Sequence, residues 1–272
     1  MDYHDVIYTK EEGIATITLN RPDKMNALIP GVSQGIYESA GDAAKDDEVR
    51  VLVITGTGRT FCSGADVKAM AQDTSQTETQ TDNKKKKGIK RAKTGTGTDR
   101  IALLLQGCDK PVIAAVNGVA VGAGLDLALA CDIRIASNKA RFGELYIRRG
   151  LVPSTGGTFF LPRLVGLDKA CQLIWTGDMV NAREAERIGL VTMVVPHEEL
   201  ESAAREMAEK LAKGPLRAIQ RSKRAIYDGL FMDLQTTLDY IASVPKGLHE
   251  TEENKEGAKA FVEKRAPVFK RK

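Results

Sequence analysis

The spacing of apolar and polar positions changes along the chain, and each change marks an element. Residues 4–20 alternate in two runs around Glu11-Glu12-Gly13, the pattern of two half-buried strands joined by a tight turn, and Arg21-Pro22 ends the second run. Residues 26–46 carry apolar positions at helical spacing, and 51–54 form a short continuous apolar run that predicts a buried strand. A turn-rich loop follows over 56–64. Helical spacing returns at 101–106, before Lys110-Pro111. The run Val112-Ile113-Ala114-Ala115-Val116 reads as a strand, 118–124 as a glycine-rich turn, 125–130 as a helix and 132–136 as a strand. Residues 150–166 form a loop leading into a helix. From Leu167 onward the pattern is helical, including 181–188 and 198–211, and Trp175 is expected in the core of that helical part. Strands alternating with helices predict an α/β protein with a largely parallel sheet, closed by a C-terminal helical layer. No internal repeat is visible in the side chains.

Composition adds bounds. The chain has 272 residues, 42% of them hydrophobic and 28% charged, which excludes a disordered or collagen-like chain and is enough for a full hydrophobic core. No apolar run approaches the ~20 residues of a membrane helix. The first residues, MDYHDVIYTKEEG, lack the basic-then-apolar pattern of a signal segment, so the expectation is a cytoplasmic protein without membrane contact. The net charge of +4 comes from residues 84–93, KKKKGIKRAK, which hold seven Lys or Arg and no acid. They lie inside a polar, low-complexity stretch, 72–100, expected to be a mobile surface loop because it has little apolar surface to bury. The basic run could also neutralise phosphates of RNA or meet an acidic partner. No aromatic residue interleaves its lysines, so a base-stacking platform is absent and nucleic acid is not the expected partner. Cys62, Cys108, Cys131 and Cys171 are widely spaced with no CxxC, and read as reduced thiols that pack. His4, His197 and His249 form no ligand pair, so no metal is expected.

Two loops could carry chemistry. One is Phe61-Cys62-Ser63-Gly64-Ala65-Asp66 and the other Gly118-Val119-Ala120-Val121-Gly122-Ala123-Gly124. Small residues let backbone approach a ligand, and a helix starting near Gly122 points unpaired N–H groups outward. Together they could hold a negatively charged oxygen; read alone, each is also an ordinary tight turn.

The ordered set of motifs goes further. Leu19-Asn20-Arg21-Pro22 with Asn26-Ala27-Leu28 comes first, then Phe61 through Val67, then Lys110 through Gly118. Gly122-Ala123-Gly124-Leu125-Asp126 running to Cys131-Asp132-Ile133 follows. Gly150-Leu151-Val152-Pro153 with Gly156-Gly157-Thr158 comes next, and Ala260-Phe261-Val262-Glu263-Lys264-Arg265 ends the series. In this order, over nearly the whole chain, they resemble the crotonase superfamily, the enoyl-CoA hydratase/isomerase family. The resemblance implies a spiral of ββα units over residues 1–200 and a helical trimerisation region over 201–272, assembled as a homotrimer or homohexamer. It implies an acyl-CoA thioester as substrate and no cofactor beyond the coenzyme A that the substrate carries. The thioester carbonyl would sit between the backbone N–H groups of Ala65 and Ala123. Lys24, Ala27, Ser63, Ala65, Asp66, Val67 and Gly122 match positions around the coenzyme, and Phe261 and Lys264 match C-terminal positions that touch it, often across subunits.

The same resemblance exposes departures. The two glutamates used by hydratases belong at 126 and 146, where this chain has Asp126 and Tyr146. The aspartate used by some isomerases belongs in the following loop, at Ser154. A phenol with an ordinary pKa near ~10 is a poor base at neutral pH. Asp126, Glu144 and Tyr146 are therefore the candidate acid–base groups. Each has a plainer reading as well: a carboxylate in the first turn of its helix, a surface glutamate, a packed ring. Hydration, double-bond isomerisation, thioester hydrolysis, decarboxylation and a non-catalytic binding role remain open from the sequence.

Overall fold

The computed structural model describes residues 5–66, 98–243 and 247–269. The basic run 84–93, most of the polar stretch around it and Val67 lie outside the described residues. The chain opens with the expected hairpin, β1 (Val6–Glu11) paired antiparallel with β2 (Ile14–Leu19). Its two-residue turn has positive φ at both Glu12 (52°) and Gly13 (82°), the geometry that matches the twist of the flanking strands. The next helix, α1 (Pro30–Lys45), starts four residues later than its apolar spacing suggests, because Asn26 sits in the left-handed region at φ 51° and Pro30 supplies the first helical position.

From there the backbone spirals. β3 (Val51–Gly56) lies in a large sheet and β4 (Thr60–Cys62) in a small one; α2 (Thr98–Gly107) precedes β5 (Val112–Val116), large, and β6 (Val119–Val121), small. After α3 (Ala123–Leu129), β7 (Ile133–Ser137) returns to the large sheet and β8 (Arg141–Gly143) to the small one. A 3-10 turn (Leu145–Arg149), α4 (Gly157–Val165) and α5 (Leu167–Thr176) follow. Next come β9 (Val180–Asn181), α6 (Ala182–Arg187) and β10 (Met193–Val195). The large sheet has the order β1-β2-β3-β5-β7-β10 and is parallel from β2 on; the small sheet has the order β4-β6-β8-β9. The strand pair therefore does repeat, in the path of the backbone rather than in its side chains. β5 and the first four residues of β3, Val51 to Ile54, are apolar and buried because the large sheet is covered on both faces. α1, α2 and α3 contribute to the main core on one side, and α7 (Leu200–Ala212) packs on the other.

The helical C-terminal part continues as α8 (Leu216–Gly229), α9 (Leu234–Ser243) and α10 (Glu252–Val262). α8 is tied to the sheet by one buried cation. Lys223 donates to the carbonyls of Leu105 (3.2 Å) and Lys110 (3.0 Å) and to Asp132 Oδ2 (2.7 Å). Asp132 also accepts from the Val112 amide and the Tyr227 hydroxyl, both at 2.7 Å. Trp175 is not in the core: it is 69% exposed, since α5 buries Ala170 and Leu173 and Trp175 falls two residues past that face. Ile226, Leu234 and Leu238 on the C-terminal helices, and Phe231 in the turn between α8 and α9, are also exposed.

Candidate active site

The segment after β2 is turned by one buried side chain. Asn26 accepts a hydrogen bond from the Arg21 amide (2.8 Å) and donates to the carbonyls of Thr57 (3.0 Å) and Thr60 (2.6 Å). Residues 25–28 are thereby laid beside 63–66. The Ser63 amide donates to Met25 O (3.1 Å), the Leu28 amide to Gly64 O (2.8 Å) and the Asp66 amide to Leu28 O (3.0 Å). The two small-residue loops then meet. Gly64 has φ 82°, and a Cβ there would stand 2.8 Å from Val121 O and 3.3 Å from the Ala123 nitrogen. Gly124 presses on the Cys62 carbonyl, where any side chain would collide. Gly122, at φ 52°, turns the chain from β6 into α3. Among the described residues, neither the Ala65 nor the Ala123 amide donates a hydrogen bond, so both N–H groups are left at the junction of the two loops.

Two carboxyl groups are buried beside this junction. Asp126, in the first turn of α3, is fully buried, and Glu144, where β8 ends, is 1% exposed. The surface reading of Glu144 is thus overturned. The Gly122 amide bonds to Gly143 O (2.9 Å), which draws the end of β8 against the α3 loop and turns Glu144 inward. A Cβ on Gly157, at the start of α4, would collide with both Asp126 Oδ1 and Glu144 Oε1, so the two oxygens face one point. Neither of these oxygens, nor Glu144 Oε2, has a hydrogen-bond partner.

The other half of Asp126 is fully engaged. Its Oδ2 accepts from the Tyr146 hydroxyl (2.8 Å) and from the Thr155 hydroxyl. Tyr146 lays its ring edge against Gly122. Burial, reinforced by the Asp126 charge, pushes the Tyr146 phenol above its ordinary pKa, so it serves as a donor and not as a base. Thr155 went unmarked in the sequence. Ser154, at which the isomerase position was placed, is exposed, and the side chain that reaches the cluster is the next one along.

Proton distribution follows from these partners. Burial raises both carboxyls, Glu144 to about 10, where the neighbouring Asp126 charge adds to the effect. The two hydroxyl donors favour charge on Asp126, while Glu144 has no such donor. The two carboxyls titrate as a coupled pair, with the Glu144 proton the more firmly held against the Asp126 charge.

The remaining expected site residues divide. Ala27 is buried, and Ser63 and Asp66 are half-buried in the paired segments, with Asp66 3.8 Å from Arg21. Lys24 is exposed on the turn before them. Phe261, 85% exposed, and Lys264 lie at the end of α10, outside the cluster these hydrogen bonds define. His197 is half-buried, its Nδ1 2.9 Å from Ser137 Oγ. Burial pushes the Cys62 thiol up to about 12, which leaves it an inert packing group.

Two short loops and two buried carboxyls are thus gathered at one end of a spiral of strand pairs, and comparison with known proteins says which class of protein shares this fold. The family model for enoyl-CoA hydratase/isomerase matches residues 9–272. The crotonyl-CoA hydratase of Syntrophomonas wolfei is 39% identical, with 99% of each chain covered. The short-chain-enoyl-CoA hydratase of Clostridium acetobutylicum is 38% identical, with 97% of each covered. The crystal structure of an enoyl-CoA hydratase from Bacillus anthracis superposes with a TM-score of 0.86 at 33% identity, covering 99% of this chain and 100% of that one. The chain belongs to the enoyl-CoA hydratase/isomerase family and is an enzyme of that class with the crotonase fold.

Proposed function

We propose that the protein adds water across the double bond of a 2-enoyl-CoA, using Asp126 and Glu144 as its acid–base pair. The observation that carries this reading is the meeting of two buried carboxyl groups, each with a bare oxygen, at one point beside Gly157. The thioester carbonyl oxygen sits between the Ala65 and Ala123 N–H groups, which stabilise the enolate as it forms; one such donor is worth about 2.7–4 kcal/mol of barrier. Asp126 Oδ1 takes a proton from water as its oxygen bonds to the β-carbon. Glu144 gives its proton to the α-carbon. The proton gained by Asp126 then passes to Glu144, and the starting pair is restored. Isomerisation needs one shuttling base, so a second buried carboxyl with an unpaired oxygen favours hydration. The names of the similar hydratases support the same reaction.

The coenzyme runs past Lys24, Ala27, Ser63, Asp66 and Gly122, with Val67 next in sequence. Phe261 and Lys264 reach a neighbour's coenzyme in a homotrimer or a pair of trimers. The exposed apolar side chains of the C-terminal part, Ile226, Phe231, Leu234 and Leu238, support such an assembly, since apolar surface of this kind marks protein contacts. The test is incubation with straight-chain and cyclic 2-enoyl-CoAs in deuterated water, followed by product mass. Addition of one water, with deuterium at the α-carbon, is expected. Deuterium uptake on a shifted double bond without water, or release of free coenzyme A, would overturn hydration.

A further inference from the structure

The two oxygens of Asp126 are held differently. Oδ2 accepts from both Tyr146 and Thr155, whose hydroxyl oxygens are themselves 2.9 Å apart, while Oδ1 has no partner. Both hydroxyls lie within hydrogen-bond reach of Oδ2 and of each other, so the three oxygens form one closed triangle. A carboxylate clamped at one oxygen cannot turn about its last torsion. The free oxygen is therefore fixed in the direction of Glu144 Oε1 and Gly157. Tyr146 and Thr155 come from different segments, one from the 3-10 turn after β8 and one from the loop before α4.

We propose that Thr155 is a positioning residue: with Tyr146 it holds Asp126 Oδ2 so that Oδ1 alone exchanges protons with water and substrate. The role of Asp126 in this statement rests on the hydration reading; the clamp itself rests on the hydrogen bonds. The titratable groups that face Asp126 are Glu144 from the end of β8 and Tyr146 from the 3-10 turn. β4 brings Phe61 and the neutral Cys62 thiol to the same core, and α2 brings Ile101 and Leu105. Both hydroxyls stabilise the ionised form of Asp126, so loss of either raises the pH at which it protonates.

The experiment compares Thr155→Val, which keeps the shape of the side chain, with Thr155→Ser, which keeps the hydroxyl. The Asp126 carboxyl is followed by carbon-13 NMR titration of the whole protein, assigned with Asp126→Asn, and turnover of a 2-enoyl-CoA is measured in parallel. The valine variant is expected to titrate about one pH unit higher, with kcat down about tenfold and KM within about twofold. The serine variant is expected to follow the wild type in both. A valine variant with an unchanged titration overturns the clamp. A wild-type protein that turns over no enoyl-CoA overturns the hydration reading instead, and the two failures are told apart because the titration needs no substrate.

Discussion

Asp126 and Asp132 stand at the two ends of one short stretch, α3 and the turn after it, and the fold treats them in opposite ways. Asp132 is saturated: an amide, an ammonium group and a phenol occupy both its oxygens. Asp126 is more deeply buried but keeps one oxygen without a hydroxyl or amide donor, facing a second carboxyl that has none either. A carboxylate whose lone pairs are all used holds structure together. One that keeps a buried oxygen without a donor remains able to take and give a proton, at a cost in stability.

The contrast can be broken at either end. The largest effect is expected from Asp126→Asn, which removes the base: activity should fall about 10²–10⁴-fold while the thermal midpoint holds or rises. Glu144→Gln should lower activity about 10²-fold, and its stability effect has a definite sign. The folded protein keeps the Glu144 proton up to about pH 10, whereas the unfolded chain releases it near its ordinary 4.5. Stability from this group is complete below that lower value and is lost as pH rises toward 10. The glutamine variant should therefore gain stability over the wild type at pH 8 relative to pH 4, read as thermal midpoints at the two values. Wild-type turnover itself should decline as pH rises through about 10, where Glu144 loses the proton it donates. At the saturated end the result inverts. Lys223→Ala leaves Asp132 without its cation and should cost about 3–5 kcal/mol in a denaturant titration. Its turnover per folded molecule should stay within about twofold of the wild type, the smallest effect of the set.

The saturated end was invisible in the sequence, because Lys223 and Asp132 are brought together only by the docking of α8. The reactive end was partly legible. The hairpin, β3, β5 and the helical C-terminal part follow from period and turn residues. β4, β6, β8 and β10 do not, being three residues long, too short for alternation to register. The two loops that meet at Gly64 were marked by their small residues, and Asp126 by its place in the family pattern. Glu144 carried a weaker signal, its place two residues before the family's second glutamate position, and its burial depends on how β8 ends against the α3 loop. Thr155 had none, since nothing local tells which of two neighbouring hydroxyls, Ser154 or Thr155, turns inward. Trp175 was misplaced because apolar identity was weighed over helical phase.

The central claim is that Glu144, and not the tyrosine at the family's glutamate position, supplies the acid. It is tested most directly by measuring hydration of one 2-enoyl-CoA by Glu144→Gln and Tyr146→Phe side by side. The account predicts a loss of about 10²-fold for the glutamine variant and no more than about tenfold for the phenylalanine variant, which loses one of two donors to Asp126. A glutamine variant near wild-type rate beside a phenylalanine variant that is dead would contradict it.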